Sequence, residues 1–200
     1  MFIEIALWAI GIVAILCAVV FCILIYIRKR SIKGHAVIMD EKGIPIKSVP
    51  LPYVRSVPPN EAVVIIRIAV FYQGMIYLKE RPSTDFYEPG RLDIPFEFYY
   101  SIGFSLKAFV DTQLKKFKSN EEIEVRHSIR YMYHDDKIGR NVFLYFIYLE
   151  NEKDLKLTGG KLWTLKQIEQ NINKGVFSSL FENEFEHYKV TIPTWEEYHS

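Results

Sequence analysis

Cysteine is confined to Cys17 and Cys22, so residues 34–200 contain none. A disulfide framework and a cysteine metal site are thereby excluded from most of the chain, which suits a reducing compartment. Charge is missing from residues 5–27, an unbroken run of 23. Acid is nearly missing from residues 101–120, where Asp111 stands alone. A basic excess is missing too. Of 25 Lys and Arg, four lie in residues 28–33, and Glu4 is the one acid before them, so residues 34–200 carry 21 basic and 23 acidic side chains, a net of −2. Nucleic acid is therefore disfavoured as a direct partner, since binding it needs a basic surface.

What is present begins with the charge-free run. At about 1.5 Å per residue, a helix of this length spans roughly 34 Å, slightly more than the ~30 Å hydrocarbon core of a bilayer. A cleaved secretory signal would need a positive start, but Glu4 stands there and Arg28-Lys29-Arg30 follows the run. The reading is an uncleaved single-pass helix over 5–27 after a short external N-terminus, 1–4. Arg28, Lys29, Arg30 and Lys33 flank the membrane and hold their side in the cytoplasm, where anionic lipid headgroups satisfy them. The expected location is the inner membrane, with the N-terminus outside and the C-terminal domain cytoplasmic. Gly11, Ala14 and Ala18 line one helical face with small side chains and offer a helix-packing contact.

Residues 34–60 hold five of the nine prolines. With the basic flank they read as a juxtamembrane segment and extended tether over 28–60, with one short edge strand at 35–39. The domain is expected over 61–200. Residues 63–70 are β-branched and almost continuously apolar, as in a strand covered on both faces, and Gln73-Gly74 turns the chain into a second strand at 75–81. A short extended stretch follows at 92–100. Ser105 caps a helix whose Leu106, Phe109, Val110, Leu114 and Phe117 recur at three- and four-residue steps. Residues 123–133 alternate as a strand, 134–140 turn, and 141–150 return. Thr164 with Gln167 makes a capping box for a short helix that Gly175 closes; Ser179 with Glu182 opens another. This order predicts an α/β protein with a mixed sheet.

Leu162-Trp163-Thr164-Leu165-Lys166-Gln167-Ile168 with Gly175-Val176-Phe177, placed after that order of elements, resembles the end of a NUDIX domain. The resemblance covers about 61–188 and implies an α/β/α sandwich. It also implies a box, G-x5-E-x7-R-E-U-x-E-E-x-G-U, whose carboxylates hold divalent cations against a pyrophosphate. With Leu114 at the U position, the R-E pair falls on Thr112-Gln113, the E-E pair on Lys116-Phe117 and the first Glu on Phe104, beside Gly103. The metal ligands are replaced, so no metal, no cofactor and no box hydrolysis are expected. His127, His134, Asp135 and Asp136 read as a polar strand end and turn. Glu182, Glu184 and Glu186 read as a solvated helix face, because alternate helical positions do not converge. A hydrolase with rearranged ligands, for instance Asp85, Glu88 or Asp93, is the remaining enzymatic alternative.

A NUDIX cleft without its box implies binding without turnover. In the family the strands and loops lining the cleft would carry Arg67, Arg81, Arg91, Arg126 and Arg130 toward phosphates, with Tyr99, Tyr100 and Trp163 as stacking rings for a base. Anchor, tether and boxless domain together resemble the transmembrane–NUDIX effectors of bacterial cyclic-oligonucleotide-based antiphage signalling systems (CBASS). That resemblance implies a cytoplasmic sensor of a cyclic nucleotide second messenger, a functional link to a nucleotidyltransferase, and inner-membrane disruption on binding. One helix cannot make a channel alone, so a homo-oligomer is implied. The alternative is a membrane-tethered scaffold that captures a protein partner through the same cleft.

Overall fold

A computed structural model describes Ile15 and residues 17–22, 34–40, 42–101, 105–114, 125–149 and 159–199. Ile15 and residues 17–22 are helical, and Ala18 is exposed on them. Gly11, Ala14, Arg28, Lys29, Arg30, Lys33, Gly103, Phe104, Lys116 and Phe117 lie outside the described residues. Among the described residues no helix is long and apolar enough to cross a membrane.

Nine strands among the described residues form one mixed sheet: β1 (His35–Met39), β2 (Pro45–Pro50), β3 (Ala62–Tyr72), β4 (Met75–Glu80), β5 (Leu92–Asp93), β6 (Glu97–Tyr99), β7 (Val125–His134), β8 (Gly139–Tyr148) and β9 (Gly160–Thr164). β3 is central. Its β-branched run is buried from Ala62 to Phe71, with β8 parallel along one edge over its ten-residue register. On the other edge β1 pairs at Ile38↔Val63, β6 at Ile65–Arg67 and β4 only at the turn, Phe71↔Ile76 and Tyr72↔Met75. That turn has positive φ at both Gln73 (46°) and Gly74 (69°), the type I′ geometry that matches strand twist.

Helices cover both faces, giving the expected α/β/α layering. α1 (Leu106–Leu114) lays Leu106, Phe109 and Val110 against Ile66, Ile68 and Val70. Ser105 Oγ caps it by accepting from Ala108 N at 3.1 Å. α2 (Leu165–Glu169) carries the anticipated reciprocal box between Thr164 and Gln167. It ends at Glu169, with turns continuing to Gly175, so Gly175 (φ 73°) closes the turns rather than the helix. α3 (Ser179–His199) packs Phe181, Phe185, Tyr188 and Ile192 against Phe71 and Phe146.

Three expectations are corrected. Residues 34–60 are not an extended tether. β1 and β2 form an antiparallel hairpin joined to β3, a short 3-10 turn, η1 (Leu51–Ser56), follows, and Ala36, Val37 and Ile38 are fully buried. Burying Val37 and Ile38 stabilises by roughly 1.5–3 kcal/mol each, ample reason for the segment to dock. Pro45 and Pro50 fit because β2 is an edge strand, where a missing N–H breaks no inner ladder. The α3 cap is Ser178, not Ser179: Ser178 Oγ accepts from Phe181 N at 3.1 Å, while the Glu182 carboxylate accepts from Asn173 N. Glu184, placed on a solvated face by its alternation with Glu182 and Glu186, is fully buried.

Candidate functional site

After the turn β3 and β4 separate, and a pocket of about 870 Å³ opens between β4–β5 on one side and β6 with η1 on the other. That volume is in the range of a small-ligand site. Leu51, Pro52 and Arg55 of η1 form one wall, Lys79, Glu80 and Arg81 another, and Phe86 and Tyr99 supply rings. Arg55 lies 5.3 Å from the Phe86 centroid. Neither Arg55 nor Lys79 is ion-paired to a carboxylate among the described residues.

The floor is a buried charge cluster. Arg67, on β3 and 0% exposed, donates through Nη2 to Asp93 Oδ1 (2.5 Å) and Glu184 Oε2 (3.1 Å), and through Nη1 to Glu97 Oε2 (2.6 Å). Tyr131 and Tyr188 hydroxyls donate to Glu184, and Ser178 Oγ donates to Asp93 Oδ2 at 2.8 Å. Arg81 adds a second cation, with Nη1 2.6 Å from Asp93 Oδ2 and Nη2 2.9 Å from Asp85 Oδ2. Its Nε donates to Tyr87 O, which pins the 82–90 loop against β4. A second tie on that loop runs from the Tyr87 hydroxyl to Asp135 Oδ2 at 2.7 Å.

Burial acts to lower the Arg67 pKa, but Asp93, Glu184 and Glu97 together hold it well above the ordinary value. At Asp93 burial acts upward, and the facing Arg67 and Arg81 outweigh it and hold the carboxyl low. At Glu184 burial wins over Arg67 and the two tyrosines, so its pKa is raised. The signs differ in consequence. Stability from Asp93 is fully present above the unfolded aspartate value of about 3.9 and is lost as pH falls through its lower folded value. Glu184 contributes in the opposite sense, favouring the fold as it takes up a proton. Urea unfolding of the full chain in detergent is expected to show stability falling below about pH 4; an unchanged midpoint between roughly pH 5 and pH 3 would contradict the role given to Asp93.

Of the eight residues expected at a ligand, three meet here. Tyr99 and Arg81 line the pocket, and Arg67 lies beneath it, fully engaged by carboxylates and out of a ligand's reach. Burial among acids, rather than exposure to phosphate, is its correction. Arg91 packs where a Cβ on Gly175 would meet its Nη1 at 2.2 Å, outside the pocket lining. Tyr100 packs edge-on against Phe109 of α1, and Trp163 edge-on against Phe177. Arg130 is exposed, donating to Asn141 Oδ1 and lying over the Phe143 ring. Arg126 sits in the irregular start of β7, its side chain outside the described residues. The three carboxylates considered for a rearranged metal site are also engaged, Asp93 and Asp85 by arginines and Glu88 by Ser179 N and Oγ at 2.7 Å each.

Sequence reasoning missed Arg55, Lys79, Phe86 and Glu184. For Glu184 a signal existed: Phe181, Glu184, Phe185 and Tyr188 follow the i, i+3, i+4, i+7 pattern, which puts the carboxylate on the apolar stripe. For Arg55 none did, because the proline-rich segment gave no hint that it doubles back as a wall.

No family model and no curated protein matches the sequence. Solved structures do. The Deinococcus radiodurans protein DR0079 is similar at a TM-score of 0.56 and 13% identity, over 76% of this chain and 98% of its own. A Nudix hydrolase from M. smegmatis, RenU, is similar at 0.46 and 10% identity, over 80% and 96%. The C. elegans Ap4A hydrolase gives 0.46 and 12%, over 70% and 99%. At such identities the likeness is one of fold: a mixed α/β sheet like that of the D. radiodurans protein, with Nudix hydrolases among the structural neighbours.

Proposed function

We propose that this NUDIX-like domain binds without turnover and that the chain is a membrane-anchored effector of a CBASS antiphage system. In this reading a cyclic nucleotide enters the pocket, the domains self-associate, and the assembled membrane helices disrupt the inner membrane. The observation that carries it is the pocket: nucleotide-sized, with Arg55 and Lys79 not committed to acids and with Phe86 and Tyr99 as stacking rings. Its position fits signalling to a membrane. Leu51 N, at the head of η1, donates to Gly34 O at 2.7 Å. Gly34 directly follows the basic flank in sequence, so η1 is hydrogen-bonded to the residue next to that flank. Two-dimensional confinement would raise the local concentration of partners and lower the barrier to self-association.

The test is calorimetry on the full chain in nanodiscs against cyclic di- and trinucleotides, paired with dye release from liposomes. Binding by at least one, with release at the same concentrations, is expected; no heat and no release across the panel would sink the proposal. Lys79→Ala is expected to weaken binding about 10- to 100-fold, since a charge-assisted hydrogen bond contributes roughly 1.5–3 kcal/mol. Arg91→Ala should leave affinity unchanged, because Arg91 is occupied at Gly175.

A further inference from the structure

Exposed large apolar side chains are concentrated on one edge of the domain. Among the described residues outside the apolar run they are Ile44, Ile46 (62% exposed), Leu51, Tyr53 (64%) and Val190, and the first four fall within residues 44–53. Ile44 precedes β2, the outermost strand on its side of the sheet, and Ile46 lies within it; Leu51 and Tyr53 stand on η1, just past its other end. A flat surface laid along that edge meets side chains from both ends of β2. Val49 and Val54 of the same segment turn inward, against Ala36, Ile38 and Val63. Apolar residues exposed singly are ordinary, whereas a group gathered on one edge marks an interaction surface.

Two observations select the occupant. The first is reach. Ile27 ends the charge-free run and Gly34 comes seven positions later, so the two are at most about 25 Å apart. Leu51 N donates to Gly34 O, so η1 begins beside that point and the edge continues from it along β2. The second is charge. Residues 28–60 carry seven Lys and Arg against Asp40 and Glu41, a net of +5, whereas residues 61–200 carry 18 basic and 21 acidic side chains, a net of −3. Lys42 is exposed in the hairpin turn two residues before Ile44. Basic side chains draw anionic headgroups over a Debye length, and apolar ones enter the headgroup boundary; both are gathered on the part of the domain next to the run. We infer that the β2–η1 edge seats on an anionic bilayer surface, with Ile44, Ile46 and Tyr53 in the headgroup boundary, so that the domain lies against the membrane in one orientation. Leu51 and Arg55 also line the pocket, whose η1 wall therefore adjoins the seated edge. The inference rests on the anchored reading of residues 5–27 and needs no nucleotide.

The experiment uses the full chain in nanodiscs, carrying Cys17→Ala and Cys22→Ala. One fluorophore is attached at a time, through Val19→Cys in the apolar run, Ile46→Cys, Tyr53→Cys, or Lys174→Cys, an exposed position in the acidic remainder. Lipid brominated high on its acyl chains is the quencher. With phosphatidylglycerol present, labels at 46 and 53 are expected to lose about half their emission or more, since an interfacial segment sits roughly 5–10 Å into the headgroup and acyl boundary, while the label at 174 is unaffected. In phosphatidylcholine alone, or at high salt, the loss at 46 and 53 should shrink about twofold or more, because the attraction is absent or screened. Quenching at 19 with either 46 or 53 unquenched would overturn the seating and leave the anchored reading intact. Equal quenching at 174, or quenching at 46 and 53 indifferent to lipid charge, would overturn it too. No quenching at 19 would defeat the anchor, and the seating with it. Quenching at 19, 46 and 53 without binding of any cyclic nucleotide would uphold the seated edge and defeat the effector reading.

Discussion

Arg67→Met should destabilise the domain by at least about 3–5 kcal/mol, the usual consequence of removing one partner from a buried ion cluster. For a chain of this size that corresponds to a fall in unfolding temperature of roughly 10 °C. The cost falls unevenly on the three carboxylates. Asp93 keeps Arg81 and Ser178, and Glu97, at 20% side-chain exposure, keeps some water. Glu184 is fully buried and would be left with only the Tyr131 and Tyr188 hydroxyls. Its pKa, already raised by burial, would rise further once Arg67 no longer opposes it. A carboxyl whose folded pKa exceeds its unfolded one contributes stability below the unfolded value, and that contribution is lost as pH rises toward the folded value. The variant should therefore recover part of its stability on mild acidification, and Arg67→Met/Glu184→Gln should be more stable at neutral pH than Arg67→Met alone. Urea unfolding at several pH values measures both effects; a loss below about 1 kcal/mol for the single variant would show that the cluster does not act as a unit.

Gly139→Ala is expected to cost about 3 kcal/mol, although alanine for glycine in a strand ordinarily favours the fold. A Cβ on Gly139 would stand 2.5 Å from the carbonyl oxygens of both Pro59 and Glu61. Both obstacles are backbone, in the turn that launches β3, and Pro59 O also faces His134 Nδ1 at 2.9 Å. Gly139 pairs with Ala62 at the head of the parallel β3–β8 ladder, so relief would have to displace the central pair of strands. Gly139→Val should cost little more than alanine, because the overlap already occurs at Cβ. Hydrogen exchange at the β3 amides, together with thermal unfolding, checks this. Unchanged protection there would contradict the predicted displacement.

How much could be read in advance depended on the range of the interaction. The Thr164–Gln167 box, the Ser105 cap and the Gln73-Gly74 turn close within three or four residues, so each was visible in the letters that form it. β3 was legible because a strand buried on both faces needs an unbroken apolar run, and one interruption, Arg67, did not hide it. β9 and the β2 half of the β1–β2 hairpin were not legible as sheet, while β1 was expected over 35–39 but as an edge strand rather than one held between β2 and β3. β9 is short with mixed exposure, and the hairpin is flanked by prolines whose tolerance depends on lying at an edge. Alternation misled at Glu184, where the helical stripe through Phe181, Phe185 and Tyr188 was the relevant pattern.

The sequence by itself determined the type of most elements and the division into a charge-free run, a basic flank and a slightly acidic remainder. It also determined the shortage of acid between residues 101 and 120. These are properties of neighbouring residues and need no partner from afar. Tertiary structure alone decided the fate of each arginine. The acids around Arg67 come from 26, 30 and 117 positions away, brought there by strand register and by the docking of α3. Arg140, 3% exposed near the start of β8 on the same sheet face, has no ion pair among the described residues and faces the Phe86 and Tyr99 rings instead. A hydrogen-bonded ion pair needs its partners within about 3 Å, so which arginine meets carboxylates and which meets rings follows from how the strands and α3 come together, a property the linear order does not contain.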